Sequence, residues 1–386
     1  SARLGSRSRS ARASGGRAMI TYHEGYFGIS PDLLFRLRGS VVPKSLIWAL
    51  PAMASGMGLF FYWGGVDNEA SNSVSQAWTG YSFILGFLIV YRMQVSYNRF
   101  WEACSLTNEM RGEWIDAYCS LCSFCNKSDA KHEEVLAFKG LLMRLFSMMH
   151  QGAIAKLCLM EVEEVPIIDP TGIEPDYLEF VMHHPEKMEI LVSWIEQAIV
   201  AAAQDDVIVV APPILSRAFH ELSRGMVNFN SVMKIRNYAL PFPIVQMIQC
   251  LMIFHACVTP IISSLIMYNW RWAGMLAFSS VFSLWCINYI AMEIEQPFGD
   301  HYNNLPVIQM QHEFNKGLLL QTDRLLWRAP KFELNAVRRF SQGAEEIHMH
   351  DAASDLKAGV FEGRYRASQQ KSAEREGRKS EEIDQL

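Results

Sequence analysis

The sequence predicts an all-α membrane protein with four membrane-spanning helices per chain, and three observations carry that prediction. Half of the 386 residues are hydrophobic, and they sit in blocks rather than in the short alternation of half-buried strands. Four of these blocks lack Asp, Glu, Lys and Arg for 21 residues or more, and about 20 apolar residues cross a bilayer as a helix. Lys and Arg gather in the segments that flank the blocks on one side.

The first block is Ser45 to Val66, 22 residues long. The second, Ala70 to Tyr91, begins with Ser71, Asn72, Ser73, Ser75 and Gln76, so the span proper is expected to start near Ala77. A third runs for 34 residues from Asn237 to Trp270, and the fourth for 21 from Trp272 to Met292. The predicted spans are therefore about 45–66, 77–93, 241–266 and 272–292. A single block could be a buried core helix, but four in one chain fit a membrane bundle.

Orientation follows from the flanks. Eight Lys and Arg residues precede Ser45, Arg92 and Arg99 follow the second span, and Lys234 and Arg236 precede the third. The first short loop holds only Asp67 and Glu69, and the other holds Arg271. The positive-inside rule then puts both termini and the middle segment, about 94–236, on the cytoplasmic side or its equivalent. Within that middle, TNEMRGEWIDAYCSLCSFC, VLAFKGLLMRLFSMMHQG and MEILVSWIEQAIVAAAQ carry the apolar periodicity of amphipathic helices, interrupted by IIDPTGIEPDY.

Residues 1–18 hold five arginines with serines and no acid, the composition of an organellar transit peptide or of a basic arm. Residues 341–386 are rich in Glu, Arg, Lys, Ser and Gln, which predicts a disordered tail. Between them, residues 19–340 form the expected membrane domain.

Several function classes are excluded. The net charge of −5 comes without a basic stripe interleaved with aromatics, so nucleic acid is not an expected partner. The sequence contains no G-x-S-x-G elbow, no G-x-x-x-x-G-K-[ST] phosphate loop and no H-E-x-x-H, and no enzyme is expected. Cys119, Cys122 and Cys125 recur every three residues without a fourth ligand or a nearby histidine, which favours packed thiols over a metal site. His348 to Asp351 could hold a transition metal but opens the polar tail.

Thr79, Phe83 and Phe87 fall at i, i+4 and i+8, hence on one helix face, with Gly86 beside them where a neighbouring helix could approach. By residue type alone that face is either a packing surface or a functional lining. Two further segments stand out: PPILSRAFHEL at 212–222, with a Pro pair at a helix start, and EIEQPFGDHYNNLPV at 293–307, an acidic turn directly after the last span.

Together with ITY at 20–22, RGSV at 38–41, SFILGF at 82–87, YNRFWEA at 97–103 and EQPFGD at 295–300, these segments resemble the bestrophin family of anion channels, and its bacterial and plant plastid branches in particular. The resemblance implies a homopentamer of mostly helical subunits around one central pore, in a lipid membrane, conducting chloride and other monovalent anions, bicarbonate among the candidates. It puts a narrow neck at Thr79, Phe83 and Phe87 and a cytoplasmic aperture at Ile214. Five copies of an apolar ring would exclude water until the pore widens, and phenylalanine edges present positive potential to an anion.

Calcium-gated members of that family clasp Ca²⁺ with the turn after the last span. Here the family's acidic run is reduced to Asp300 followed by His301, Tyr302, Asn303 and Asn304. A degraded clasp would draw on Glu293, Asp300, Asn303 and Asn304, and hard cations want six to eight oxygens. Otherwise the acids pair with basic residues while Pro297 and Gly299 turn the chain. No cofactor is required by the resemblance, calcium stays open, and gating by voltage, pH or a partner is equally expected. The Ser/Arg-rich leader and the plastid-like motifs point to the thylakoid membrane of the chloroplast, with a plasma membrane as the other option. A non-conducting membrane scaffold that recruits partners is the alternative function.

Overall fold

The computed structural model describes residues 39–63, 68–160, 164–299, 303–326 and 329–330. The leader 1–18, the tail 341–386, His348 to Asp351 and Asp300 lie outside the described residues, as does the ITY motif. The described residues up to Leu326 belong to one compact unit.

Among the described residues the chain is built from nine α-helices, without strands beyond two isolated bridges. They are α1 Val42–Trp63, α2 Asn68–Phe124, α3 His132–Cys158, α4 Pro175–His183, α5 Lys187–Gln204, α6 Pro212–Asn237, α7 Phe242–Ile266, α8 Trp270–Ile294 and α9 Val307–Leu320. Four of them, α1, α2, α7 and α8, are long and apolar enough to cross a membrane, and the protein is a multi-pass integral membrane protein.

The helix ends follow local chemistry. The Asn269 side chain accepts from the Arg271 amide at 3.0 Å and caps α8, so the long charge-free stretch breaks there and resumes. Pro212 and Pro213 open α6, where their missing N–H groups cost no intrahelical bond. At the other end of α6, Arg99 donates to the carbonyls of Ile235 and Tyr238, both at 2.7 Å, satisfying acceptors that the helix leaves open.

Helix α2 differs most from the sequence-based expectation. The apolar block ends near Arg92, yet the helix continues unbroken through TNEMRGEWIDAYCSLCSF to Phe124, 57 residues in all. At 1.5 Å per residue it is about 85 Å long, far beyond a hydrocarbon core of about 30 Å. Its upper part packs against α7 and α8 and its lower part against α3, α6 and α9. IIDPTGIEPDY likewise contains the start of a helix, because Pro175 opens α4.

Two cores result. In the membrane, Trp48 of α1 stacks on Trp285 of α8 with ring centroids 4.3 Å apart, and Trp48 Nε1 donates to the Tyr289 hydroxyl at 3.2 Å. Gly274 of α8 permits this approach, since a Cβ there would lie 2.6 Å from Met57 Cγ. Below, α2, α3, α5, α6 and α9 bury a second core that includes Trp114, Phe146, Ile195, Phe229 and Phe314. The thiols of Cys122 and Cys125 are buried in it.

Helix α6 runs back along the lower half of α2. Its approach is fixed below by Val209 N donating to Phe124 O at 3.0 Å and Asn126 N to Val207 O at 2.8 Å. Arg99 fixes it above. At Gly225 the two helices come so close that a Cβ would lie 2.1 Å from Trp114 Nε1.

Candidate functional site

Thr79, Phe83 and Phe87 lie on one exposed face of α2. Phe83 is 76% and Phe87 65% exposed within the chain, and Val90 continues the face at 60%. Side chains this apolar are not held out by their own subunit, so a bilayer or a second copy must cover them. The Thr79 hydroxyl is satisfied locally by the Ser75 carbonyl at 2.8 Å. Among the described residues, an added Cβ at Gly86 would meet nothing within 4 Å. The close helix approaches are instead at Gly274 and Gly225.

Behind this face lies a cleft of about 460 Å³ between α2, α7 and α8, lined by Trp78, Thr79, Ser82, Phe83, Thr259 and Ser280 among others. Its lining carries hydroxyls and no formally charged side chain. The sequence shows no sign of it, because α2 lies far from α7 and α8 in the chain.

Ile214 sits in the first turn of α6 and is 51% exposed. Because α6 begins beside Phe124, Ile214 lies at the far end of α2 from the phenylalanines. The 37 residues from Phe87 to Phe124 correspond to about 55 Å of helix.

The acidic turn is held by charge pairs. The Glu293 carboxylate takes Lys44 Nζ at 2.7 Å on one oxygen and Asn303 Nδ2 at 2.7 Å on the other. Asn303 Nδ2 also reaches the Gly39 carbonyl at 3.2 Å, so the exit of α8 is tied to the entry of α1. Glu295 meets the buried Arg92 at 3.1 Å, Arg92 also donates to Asn288 Oδ1 at 2.8 Å, and Glu295 accepts from the Leu240 amide at 3.4 Å. One node therefore joins α2, α8 and the start of α7. Asn304 is buried, and its amide has no hydrogen-bond partner among the described residues.

Of the expected calcium ligands, Asp300 lies outside the described residues. The oxygens of Glu293 and Glu295 are already engaged by cations and amides, and no three His, Cys, Asp or Glu side chains converge among the described residues. Ca²⁺ requires several free oxygens at about 2.3–2.6 Å.

A buried polar network further down joins α3 to α9. Ser147 donates to Asn315 Oδ1 at 2.9 Å, Asn315 Nδ2 to the Pro166 carbonyl at 3.0 Å, and His150 Nδ1 bonds Gln311 Oε1 while its ring stacks on Phe314. Burial lowers the His150 pKa to about 4, so the imidazole is neutral at pH 7.

Residues 24–319 match the family described as bacterial/fungal bestrophin protein. Among solved structures, a bestrophin homologue from Klebsiella pneumoniae carrying a point mutation is similar at 12% identity, with a TM-score of 0.58 over 73% of this chain and 100% of that one. Two structures described only as membrane proteins, each also carrying a point mutation, have TM-scores of 0.59 at 12% and 13% identity, over 73% and 75% of this chain and 99% and 100% of theirs. No curated protein matches. These structural likenesses carry the fold, and the family match spans well over half of the chain: the protein belongs to the bacterial/fungal bestrophin family.

Proposed function

We propose that the chain is the subunit of a homopentameric anion channel that conducts chloride and other monovalent anions, bicarbonate among the candidates. The observation that carries this reading is the exposed, charge-free Phe83–Phe87 face on a helix that continues about 55 Å to the end where Ile214 stands. Five such faces around an axis form an apolar neck that is dry when closed and admits anions with small dehydration cost when it widens. Family membership supports the same function.

Gating does not require calcium in this reading, because the Glu293 and Glu295 carboxylates are committed to Lys44 and Arg92. A Ca²⁺ titration of the current should be flat; steep activation lost on Asp300→Ala would defeat that part. The thylakoid placement rests on the Ser/Arg-rich leader and the plastid-like motifs, with a plasma membrane as the other option, and imaging of the full-length protein tests it.

Planar-bilayer recordings test the pore. Replacing both Phe83 and Phe87 with Ala should leave current flowing under conditions that silence the parent protein. Ile214→Ala should shift reversal potentials among chloride, nitrate and bicarbonate while gating persists. Normal gating in the double variant together with unmoved reversal potentials in Ile214→Ala would mean that these side chains only pack. Absence of anion current from a pure, folded oligomer would favour the scaffold.

A further inference from the structure

Helix α6 carries a stripe of Ile214, Arg217, Glu221 and Arg224 at i, i+3, i+7 and i+10, which places all four on one side of the helix. Both guanidinium groups are well exposed, with side chains at 69% for Arg217 and 55% for Arg224. Two carboxylates stand between them. Arg224 holds Glu113 of α2 at 2.6 Å and Glu221 at 3.9 Å, and Arg217 reaches Glu221 at 3.5 Å. Both carboxylates are largely shielded from water, at 13% and 11% side-chain exposure.

We propose that Arg217 and Arg224 form an anion-collecting station beside Ile214, and that the Glu113–Glu221 pair sets its charge by binding or releasing one shared proton. The proposal rests on the channel reading and on Ile214 marking the aperture.

The shared proton follows from the geometry. Two carboxylates converge on one guanidinium in a place with little water, and like charges so close disfavour double ionisation. Burial and the neighbouring Glu221 hold the Glu113 carboxyl above its usual range, while Glu113 and the arginines hold that of Glu221 below its own. The remaining charged groups that face the pair are Asp116 on α2 and His220 on α6. With both carboxylates ionised, the two arginines and two glutamates sum to zero; with one protonated they sum to +1. Each subunit then gains one positive charge beside the aperture as pH falls, and five would gain five. Anions are drawn to a positive mouth, so anion conductance should rise with acidity.

Two measurements on the purified protein test this. In planar bilayers with symmetric chloride, cytoplasmic pH is stepped between about 9 and about 5. The parent current should rise severalfold on acidification, Glu113→Gln should hold it high and nearly flat, and Arg217→Gln with Arg224→Gln should lower it at every pH. Thermal unfolding over the same range reads the proton without current. A proton held by the folded pair and released on unfolding makes stability fall as pH rises, and Glu113→Gln should remove that part of the slope.

An unchanged pH–current profile in Glu113→Gln overturns the proposal even where conduction is intact. So does an unfolding slope identical to the parent's. If the parent conducts nothing while the slope difference is present, the channel reading fails and the shared proton stands.

Discussion

Gly225 shows how one hydrogen atom in place of a methyl sets the distance between α2 and α6. A Cβ there would lie 2.1 Å from Nε1 and 2.4 Å from Cδ1 of Trp114, a fully buried ring whose edge packs against His150. The ring cannot swing aside as a flexible chain end would, so Gly225→Ala must push the helices apart. The expected cost is roughly 1–3 kcal/mol or more, read as a lower thermal unfolding midpoint in detergent. Adding Trp114→Leu should restore part of the loss, because the clash partner is gone. His150 gives a residue-scale effect with a defined sign. Its pKa is lowered on folding, so the unfolded chain binds its proton more readily, and stability is lost as pH falls from about 6.5 towards 4. Unfolding midpoints at pH 7 and pH 5 should differ less in His150→Gln than in the parent.

At the scale of elements, the Arg92–Glu295 pair pins α2 to the last span. The Arg92 side chain is 3% and that of Glu295 12% exposed, so removing the arginine strands a carboxylate in a poorly hydrated place. Arg92→Ala should cost about 3–5 kcal/mol, whereas replacing both residues with Met should cost much less. A thermal unfolding comparison of the single and double variants decides it, and equal losses in both would show that the pair contributes little. This pair also marks the limit of what the sequence discloses. Its members are 203 positions apart, and those of Lys44 and Glu293 are 249 apart. Composition could say that the acids need partners but not which bases the fold would bring. The four spans were legible because a bilayer demands length and apolarity, both written locally. The run of α2 past Arg92 was less so. Charges there look like the end of a span, and only the packing of Trp114, Tyr118 and Leu121 into the lower core explains why the helix continues.

At the scale of the whole molecule, the chain is incomplete as a pore. The phenylalanine face and Ile214 are both exposed, about 55 Å apart along α2, and a single α2 cannot enclose an aqueous path. Large apolar side chains such as Phe61, Phe254 and Trp272 are exposed on the other spans and suit lipid, which needs no protein partner. In the proposed channel the Phe83–Phe87 face differs in that α2 continues past it as one helix to Phe124. Trp101 lies five turns below Phe83 on the same side and is 61% exposed, and in that channel it would meet a second subunit or a lumen. A closed ring of identical chains uses the same heterologous contact at every seam and leaves no apolar edge unpaired. For the proposed pentamer, native mass spectrometry of protein released from mild detergent should give one dominant species at five times the 44.0 kDa chain mass. Substituting Trp101 with Glu should weaken that species if the residue lies in a seam and leave it intact if the residue faces a lumen. A stable monomer or dimer in the parent protein would remove the channel reading altogether.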